Sequence, residues 1–575
     1  MKHKLIYSIT AIGFAALLGC VTTSTTVNPN AAFKYREVFL PERDSKEYKA
    51  LGLNKIEDDW GLWGHNLKNV LPEKPSQSVY ARHGDEIYKE QFCFTSPRLF
   101  EYIEEYIVDN YGEDDSKRFA ILPNDNSIVC LCEECVALGN TRNDASPAVN
   151  ALIEKLAYRF PGHYFFTSDY STTKSVPEEP FPENTGVLIS AIEFPLASGN
   201  TAEELKFEDK LFKWSNKTEN VYIWDYINNF DDYLTPYPVF GPMQRRFQLY
   251  KGAKVGGVFL NGSGTDFSTF SRLKTHVLAA LMEDPDIDWR SLLTEKSIEF
   301  YPVTGTAISD FLLNQEDFIA ENNSQLPLYE GIVKETKTYL PADSFISFHN
   351  RLTELSRNAS AEEQKEVGKM IKAMALTRLE LMRQRGDLTG YEQFIDMLRS
   401  FEKEEGEPIY SESGWDLLTY MKDYEFMARK AAETKDNKLK GLKLIPMSGM
   451  DPEYSDVTVM TDGLIGIPSN YHDGLVLNTP EKKWSLAVPP TPGLNKIRVW
   501  TASNPVFRIQ QPKTVSLYVG DHPVSKGEPV VLKDNPSHAY VDLNVPKTLT
   551  GTLLITLEVD PDARGSIAIE EIQGF

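Results

Sequence analysis

The chain has 575 residues, of which 41% are hydrophobic, and it carries a formal net charge of −23 with a pI near 5.0. This length exceeds what one compact domain holds, so we expect two or three domains with substantial cores. The acidity argues against nucleic acid and anionic membrane surfaces as partners, because both repel a protein of the same sign.

The first twenty residues show an export pattern. Two lysines precede an uncharged apolar run over 5–18, which is shorter than the roughly 20 residues of a membrane-spanning helix. The run ends in Leu17-Leu18-Gly19-Cys20, which resembles the lipobox of bacterial lipoproteins. The resemblance implies a signal peptide over 1–20, a lipid on Cys20, a flexible tether over 21–32 and a place in the cell envelope. The alternative is an ordinary secretory signal with a chance cysteine.

Residues 33–324 alternate strand-like apolar runs with amphipathic helices, a pattern typical of a parallel sheet with crossover helices. Strands are predicted at 35–39, 58–64, 118–122, 163–168, 186–193, 220–225 and 254–260. Helices are predicted at 97–111, 147–160, 202–214, 242–250 and 267–282. Because the strands fall one short of eight, we expect a (β/α)8-like TIM barrel with one irregular or missing unit, and an open doubly wound sheet is the alternative.

Two further patterns follow. Residues 325–440 read as a helical bundle segment with long charged helices such as 361–385 and 391–403. Residues 441–575 show short alternating strands with Pro and Gly between them, which predicts a β-sandwich of the jelly-roll kind. The predicted class is therefore a multidomain protein, α/β followed by all-β.

Acidic and aromatic residues recur where the predicted barrel strands end, and chemistry in such barrels is confined to those ends. The acids are Asp125, Asp169, Glu193 and Asp225, and the aromatic residues include Tyr170 and Trp224. Paired carboxylates across an aromatic-lined cleft suit glycoside cleavage, in which one donates a proton and the other stabilises positive charge or activates a nucleophile. Taken singly, each acid is also explained as a strand-end cap or a solvated loop residue.

Several motifs resemble one bacterial family, domain of unknown function 4838. They are Phe33-Lys34-Tyr35-Arg36-Glu37, Trp63-Gly64-His65, Cys93, Pro123-Asn124-Asp125, Cys130-Leu131-Cys132-Glu133-Glu134-Cys135, Ile223-Trp224-Asp225-Tyr226, Asn229-Phe230 and Tyr237-Pro238. The family is similar to glycoside hydrolase barrels of the hexosaminidase and α-glucuronidase type.

The resemblance implies a carbohydrate-active barrel that acts on an acidic or amino-sugar polysaccharide. Asp125 and Asp225 match the family motifs as catalytic carboxylates, whereas Glu193 rests on position alone. The residues assigned to substrate binding are Arg36, His65, Trp63, Tyr170, Trp224 and Tyr226. No cofactor is required for this chemistry.

One departure from the family pattern keeps a second function open. The strand that ends in Gly257-Val258-Phe259-Leu260-Asn261 lacks an acidic residue that we expect in many relatives. If that acid is catalytic elsewhere, this protein binds sugar without cleaving it. The alternative is a non-catalytic carbohydrate-binding lipoprotein that retains or guides a polysaccharide during export.

Four cysteines remain beside Cys20: Cys93, Cys130, Cys132 and Cys135. Their spacing suits a tetrahedral zinc site, but an exported chain more often oxidises such cysteines into two disulfides, which the compartment favours here. Either arrangement is structural and would stiffen the loop that follows Asp125.

The C-terminal region resembles galactose-binding-like discoidin domains of the coagulation factor 5/8 type, on the motifs Met460-Thr461-Asp462-Gly463, Tyr471-His472-Asp473-Gly474 and Lys496-Ile497-Arg498-Val499-Trp500. The resemblance implies sugar contacts by Tyr471, His472 and Trp484 and a calcium ion in the end loops. The alternative is a module that only packs against the barrel, with Trp484 in its core.

Overall fold

The computed structural model describes residues 30–575 except 114, 198, 200, 435, 453, 479–482, 547–551 and 559–564. The predicted signal peptide, the lipid on Cys20 and nearly all of the predicted tether lie outside the described residues. Within the described ranges, no helix has both the length and the apolar character that crossing a bilayer requires.

The first half of the chain is built on a parallel sheet. The strands of this half are β1 (Tyr35–Phe39), β2 (Trp60–Leu62), β3 (Tyr80–His83), β4 (Glu86–Phe92), β5 (Arg118–Ala120), β6 (Tyr164–Asp169), β7 (Thr185–Ser190), β8 (Asn220–Tyr226) and β9 (Gly257–Asn261). Seven of them pair in the order β1-β9-β8-β7-β6-β5-β2, and every neighbouring pair is parallel. Strands β3 and β4 form a separate antiparallel hairpin, which the sequence pattern did not predict.

The sheet is curled around an aromatic interior. Each strand contributes to one buried cluster, whose members are Tyr35, Trp60, Ala120, Leu122, Phe166, Leu188, Tyr222 and Phe259. The rings of Tyr35 and Trp60 lie 6.1 Å apart, although their strands β1 and β2 are the two ends of the hydrogen-bonded order. The described residues therefore form a curled seven-stranded parallel sheet, and they do not complete the predicted eight-stranded barrel.

Eight helices in the described part of this region accompany the sheet. Their bounds are α1 (Lys46–Ala50), α2 (Ile56–Asp59), α3 (Pro97–Tyr111), α4 (Glu133–Leu138), α5 (Ser146–Arg159), α6 (Ala202–Ser215), α7 (Phe240–Gly252) and α8 (Ser271–Glu283). Helix α3 shows why the sequence predicts them well. The Ser96 side chain accepts a hydrogen bond from the Leu99 amide, proline occupies the first turn, and Leu99, Ile103 and Ile107 are buried at helical spacing.

A helical segment follows the sheet. Its bounds are α9 (Trp289–Phe300), α10 (Gly305–Asn322), α11 (Ile332–Thr338), α12 (Ala342–Ser356), α13 (Ala361–Ala373), α14 (Ala375–Arg385), α15 (Glu392–Glu405) and α16 (Leu417–Glu433). The predicted continuous helix over 361–385 is wrong, because the chain breaks at Met374 into two helices. The segment shares a buried cluster with Leu234 beyond β8 and with Ile467 of the C-terminal region, so all three parts pack together.

The C-terminal region is antiparallel and rich in strands. They are β10 (Ile445–Ser448), β11 (Val476–Leu477), β12 (Lys483–Val488), β13 (Lys496–Ala502), β14 (Ile509–Gln510), β15 (Thr514–Val519), β16 (His522–Gly527), β17 (Val530–Val531), β18 (His538–Asn544), β19 (Leu553–Glu558) and β20 (Ser566–Gly574). Two sheets, β10-β12-β19-β15-β16 and β11-β20-β13-β18-β17, share one buried core. Trp484 lies in that core with no exposed surface, so the expectation that it contacts sugar is wrong.

Candidate functional site

A cleft of about 250 Å³ opens where the parallel strands end. The sheet side of its lining consists of His65, Leu122, Asp125, Ser168, Tyr170, Leu188, Ser190, Ile192, Trp224, Tyr226 and Asn261. Tyr329 and Glu412, from the helical segment, complete the lining. The cleft therefore lies at the edge of the sheet where the carboxyl ends of parallel strands converge, as predicted.

An aromatic platform forms one wall of the cleft. The indole rings of Trp224 and Trp63 stack with centroids 5.0 Å apart and planes 14° apart. The ring of Phe259 lies edge-on to both, 5.0 Å from Trp224 and 4.7 Å from Trp63. Trp224 is half-buried and faces the cleft, whereas Trp63 supports it from behind. A flat aromatic face of this kind can stack on the apolar face of a sugar ring.

The Asp125 carboxylate is exposed to the cleft, and the loop that carries it is tied down from two sides. The His65 Nδ1 atom donates to the Pro123 carbonyl at 2.6 Å, which leaves Nε2 with its lone pair in the neutral ring. The Gln91 side chain of the hairpin bonds the Asn124 carbonyl and amide, each at 3.0 Å. The loop before Asp125 is therefore positioned by contacts on both sides.

The Tyr170 hydroxyl lies among the carboxylates of the site. Burial, and then the nearby charges of Asp125, Glu193 and Glu412, raise the pKa of Tyr170 to about 12. The phenol therefore stays protonated at neutral pH, and its hydrogen bond to the Asp125 carboxylate keeps the hydroxyl beside that acid. Tyr226 has its hydroxyl 3.3 Å from Ser190 Oγ and lines the same cleft.

Glu412 is a cleft carboxylate that sequence reasoning missed. Its side chain accepts a hydrogen bond of 2.7 Å from the Tyr329 hydroxyl, and its backbone amide donates to the Phe230 carbonyl at 2.7 Å. It lies in a short turn before α16, far in sequence from any barrel strand, and no motif marks it. The contact with Phe230, which follows β8, could be found only from the folded chain.

Two predicted site residues face away from the cleft. Asp225 is buried on the outer side of β8, where it accepts hydrogen bonds from the Tyr250 hydroxyl and the Tyr226 amide and lies 3.7 Å from the Arg246 guanidinium. Arg36, the second residue of β1, is buried and donates to the Gly52 carbonyl at 3.1 Å. The placement of both residues in the cleft is corrected, because neighbours along a strand point to opposite faces of a sheet.

Glu193 lies in the turn after β7, outside the cleft lining. Its carboxylate pairs with Lys174 at 2.5 Å, and half of its side chain is exposed. Its charge contributes to the raised pKa of Tyr170, so Glu193 lies near the rim of the cleft rather than inside it.

The four cysteines converge. The sulfur atoms of Cys93, Cys130, Cys132 and Cys135 all lie within 4.8 Å of one another. All four are free thiols in the structure, so the two disulfides that the sequence favoured are not formed there.

His472 joins the C-terminal region to the loop after β8, and Tyr471 packs within the C-terminal region. The His472 Nε2 atom lies 2.6 Å from the Asp231 carboxylate, and the Tyr471 ring packs 4.1 Å from that of Phe507. Both also line a second cleft of about 600 Å³, whose lining includes Tyr329 of the first cleft. A packing role is therefore observed for both residues, and their sugar contacts stay a prediction, as does the calcium ion.

The fold and site thus define an α/β protein with a polar, aromatic-walled cleft at the carboxyl edge of a curled parallel sheet. Residues 20–312 match the family described as Domain of unknown function (DUF4838), and the chain belongs to this family.

The comparison with solved structures returned several carbohydrate-active enzymes among its matches. One is BtGH115A, a family GH115 4-O-methyl-α-glucuronidase with specificity for decorated arabinogalactans; it is 10% identical, with 84% of this chain and 67% of that chain covered and a TM-score of 0.34. Another is the Streptococcus pneumoniae β-galactosidase BgaA, which is 15% identical. The match covers 24% of this chain and 94% of that chain, with a TM-score of 0.19. No curated protein matches the chain. Likenesses at these TM-scores carry no information on activity.

Proposed function

We propose that this protein is a glycoside hydrolase that acts on a polysaccharide, with Asp125 and Glu412 as its pair of catalytic carboxylates. The observation that carries the proposal is that these two acids, from separate parts of the chain, line one cleft beside the Trp224 ring. Two carboxylates and an aromatic platform are the groups that glycosidic cleavage needs.

The roles of the two acids follow from the chemistry. One carboxyl group protonates the leaving oxygen, and the other attacks the sugar carbon or activates water as the positive charge develops. The Tyr170 hydroxyl and the His65 ring, both in the lining of the cleft, supply further hydrogen-bonding groups for sugar hydroxyls. The family resemblance favours an acidic or amino-sugar glycan as the substrate.

A second candidate function rests on Asn261. This residue ends β9 and lines the cleft at the strand end where we expect an acid in many relatives. An amide there binds a sugar hydroxyl but transfers no proton. This favours a protein that holds a polysaccharide without cleaving it, in retention or export.

We also propose that the protein is a lipoprotein of the cell envelope, anchored through a lipid on Cys20. The support is the apolar run and lipobox-like sequence of residues 1–20. Mass spectrometry of the N-terminal peptide would show the diacylglycerol on Cys20, and Cys20→Ser would release the protein from membranes. An unmodified Cys20 in the membrane fraction would contradict the anchor.

The test is a polysaccharide panel that includes acidic and amino-sugar polymers, with binding and released sugar measured on the same samples. Asp125→Asn should keep binding and lose release, since the amide cannot exchange a proton. Asp115→Asn, an exposed acid before β5, is the matched control and should release sugar at the wild-type rate. Binding without release by the wild type would favour the second candidate.

A further inference from the structure

We infer that Cys93, Cys130, Cys132 and Cys135 bind one zinc ion in a closed tetrahedral site that fixes the Asp125 loop to the β3–β4 hairpin. The inference is independent of the reaction proposed for the cleft, because it rests on the cysteine cluster alone.

The sulfur positions fit a tetrahedral metal site. A zinc–thiolate bond of about 2.3 Å places the sulfurs of a tetrahedron about 3.8 Å apart. The Cys93 sulfur lies 3.7 Å from that of Cys132 and 3.9 Å from that of Cys135, and all four fall within 4.8 Å of one another. A disulfide would join two sulfurs at about 2.05 Å, and Cys93 is nearly equidistant from two partners rather than paired with one.

The surroundings support bound thiolates. The Arg82 amide donates to the Cys130 sulfur at 3.3 Å, and the Thr95 hydroxyl lies 3.2 Å from the Cys135 sulfur and 3.3 Å from that of Cys93. Donors of this kind orient and stabilise the ligands of a metal. Three of the cysteines are buried, so four thiols are gathered where water cannot reach most of them.

The chemistry of the donors selects the ion and its role. Four soft thiolates favour zinc over magnesium or calcium, which prefer oxygen ligands. Four protein ligands fill a tetrahedral zinc ion and leave no position for water or substrate, so the site is structural.

The cysteine cluster lies between the β3–β4 hairpin and the loop that carries Asp125. Cys93 directly follows β4, Cys130 and Cys132 end the loop that carries Asp125, and Cys135 lies in α4, which follows that loop. The Leu131 amide already donates to the Arg82 carbonyl at 2.7 Å, so hairpin and loop are in contact. A zinc ion would add metal–thiolate bonds that link the hairpin to the end of the Asp125 loop.

The full chain, exported and purified without chelator from zinc-containing medium, tests the inference through metal content and thiol counting. We expect one zinc per chain, and alkylation of the four clustered cysteines only after chelator and denaturant, with no reductant needed. Cysteines that react only after reduction, thiols that react freely in the native protein, or iron in place of zinc would each overturn the inference.

Variants and hydrogen exchange test the role of the ion. Cys132→Ser changes the least buried of the four ligands and should lower zinc affinity at least tenfold, while Cys20→Ser, which keeps all four, should bind zinc as the wild type does. Removal of zinc should speed amide exchange over 123–132 and leave β13 unchanged. Equal exchange in the zinc-bound and zinc-free protein over 123–132 would overturn the structural role.

Discussion

The Tyr329 hydroxyl donates a hydrogen bond of 2.7 Å to the Glu412 carboxylate. Both residues belong to the helical segment, yet both line the cleft formed by the sheet. The ring of Tyr329 packs 5.8 Å from that of Phe230, which follows β8. The helical segment therefore contributes a held carboxylate to the site and is more than a spacer between two domains.

Replacing Tyr329 by phenylalanine should impair catalysis without unfolding the protein. The ring contact with Phe230 remains, but Glu412 loses a hydrogen bond to a charged acceptor, worth about 1.5 kcal/mol, which corresponds to about a tenfold lower kcat. Steady-state kinetics and the pH profile of kcat measure the effect. Tyr158→Phe, on an exposed tyrosine of α5, is the control. Unchanged kinetics in Tyr329→Phe would show that Glu412 needs no such support.

Asp225→Asn should destabilise the protein rather than remove catalysis. The neutral side chain removes one of the two carboxylates that lie 3.7 Å from the buried Arg246 guanidinium, and the one from Glu204 remains. Breaking a buried ion pair from one side costs about 3 kcal/mol in the free energy of unfolding. Denaturant unfolding measures this loss, with the exposed Asp209→Asn on α6 as control. A variant of wild-type stability that releases no sugar would restore the catalytic role first predicted for Asp225.

His538 should make the free energy of unfolding depend on pH. Burial alone would lower its pKa, but the charge of Glu570 and the contact with Asp423 outweigh this and raise the pKa of His538 to about 9 from 6.5. Protonated His538 therefore adds roughly 3 kcal/mol to the free energy of unfolding below about pH 6.5, and this contribution is lost as the pH rises through 9.

Denaturant unfolding at pH 6 and pH 9 checks this dependence. The wild type should lose stability between the two values, and His538→Gln should lose much less. His522→Gln, at an exposed histidine of β16, should keep the wild-type dependence. The same loss in His538→Gln as in the wild type would assign the dependence to other groups.

The sequence predicted the fold where local signals agree with packing. Helix α3 has its capping serine, its first-turn proline and its apolar spacing within 96–107, and its predicted bounds match the structure. Strand β1 at 35–39 also matches. The break at Met374 was missed because the helical pattern continues across it, and the hairpin of β3 and β4 was missed because most of its residues are not buried.

Asp125, Tyr170 and Trp224, which were predicted at strand ends, do line the cleft, and their roles in it stay predictions. The error at Asp225 was avoidable from the sequence, because Trp224 and Asp225 are adjacent in one strand and cannot face the same cleft. Glu412 could not be predicted as a cleft residue from the sequence, since its place in the cleft depends on how the helical segment packs over the sheet.

The most direct test of the account is sugar release by Glu412→Gln, compared with the wild type and with Glu407→Gln, an exposed glutamate of the same segment. We predict that Glu412→Gln binds the polysaccharide yet releases sugar at least about 100-fold more slowly, whereas Glu407→Gln matches the wild type. Release by Glu412→Gln at the wild-type rate would contradict the proposed pair of carboxylates.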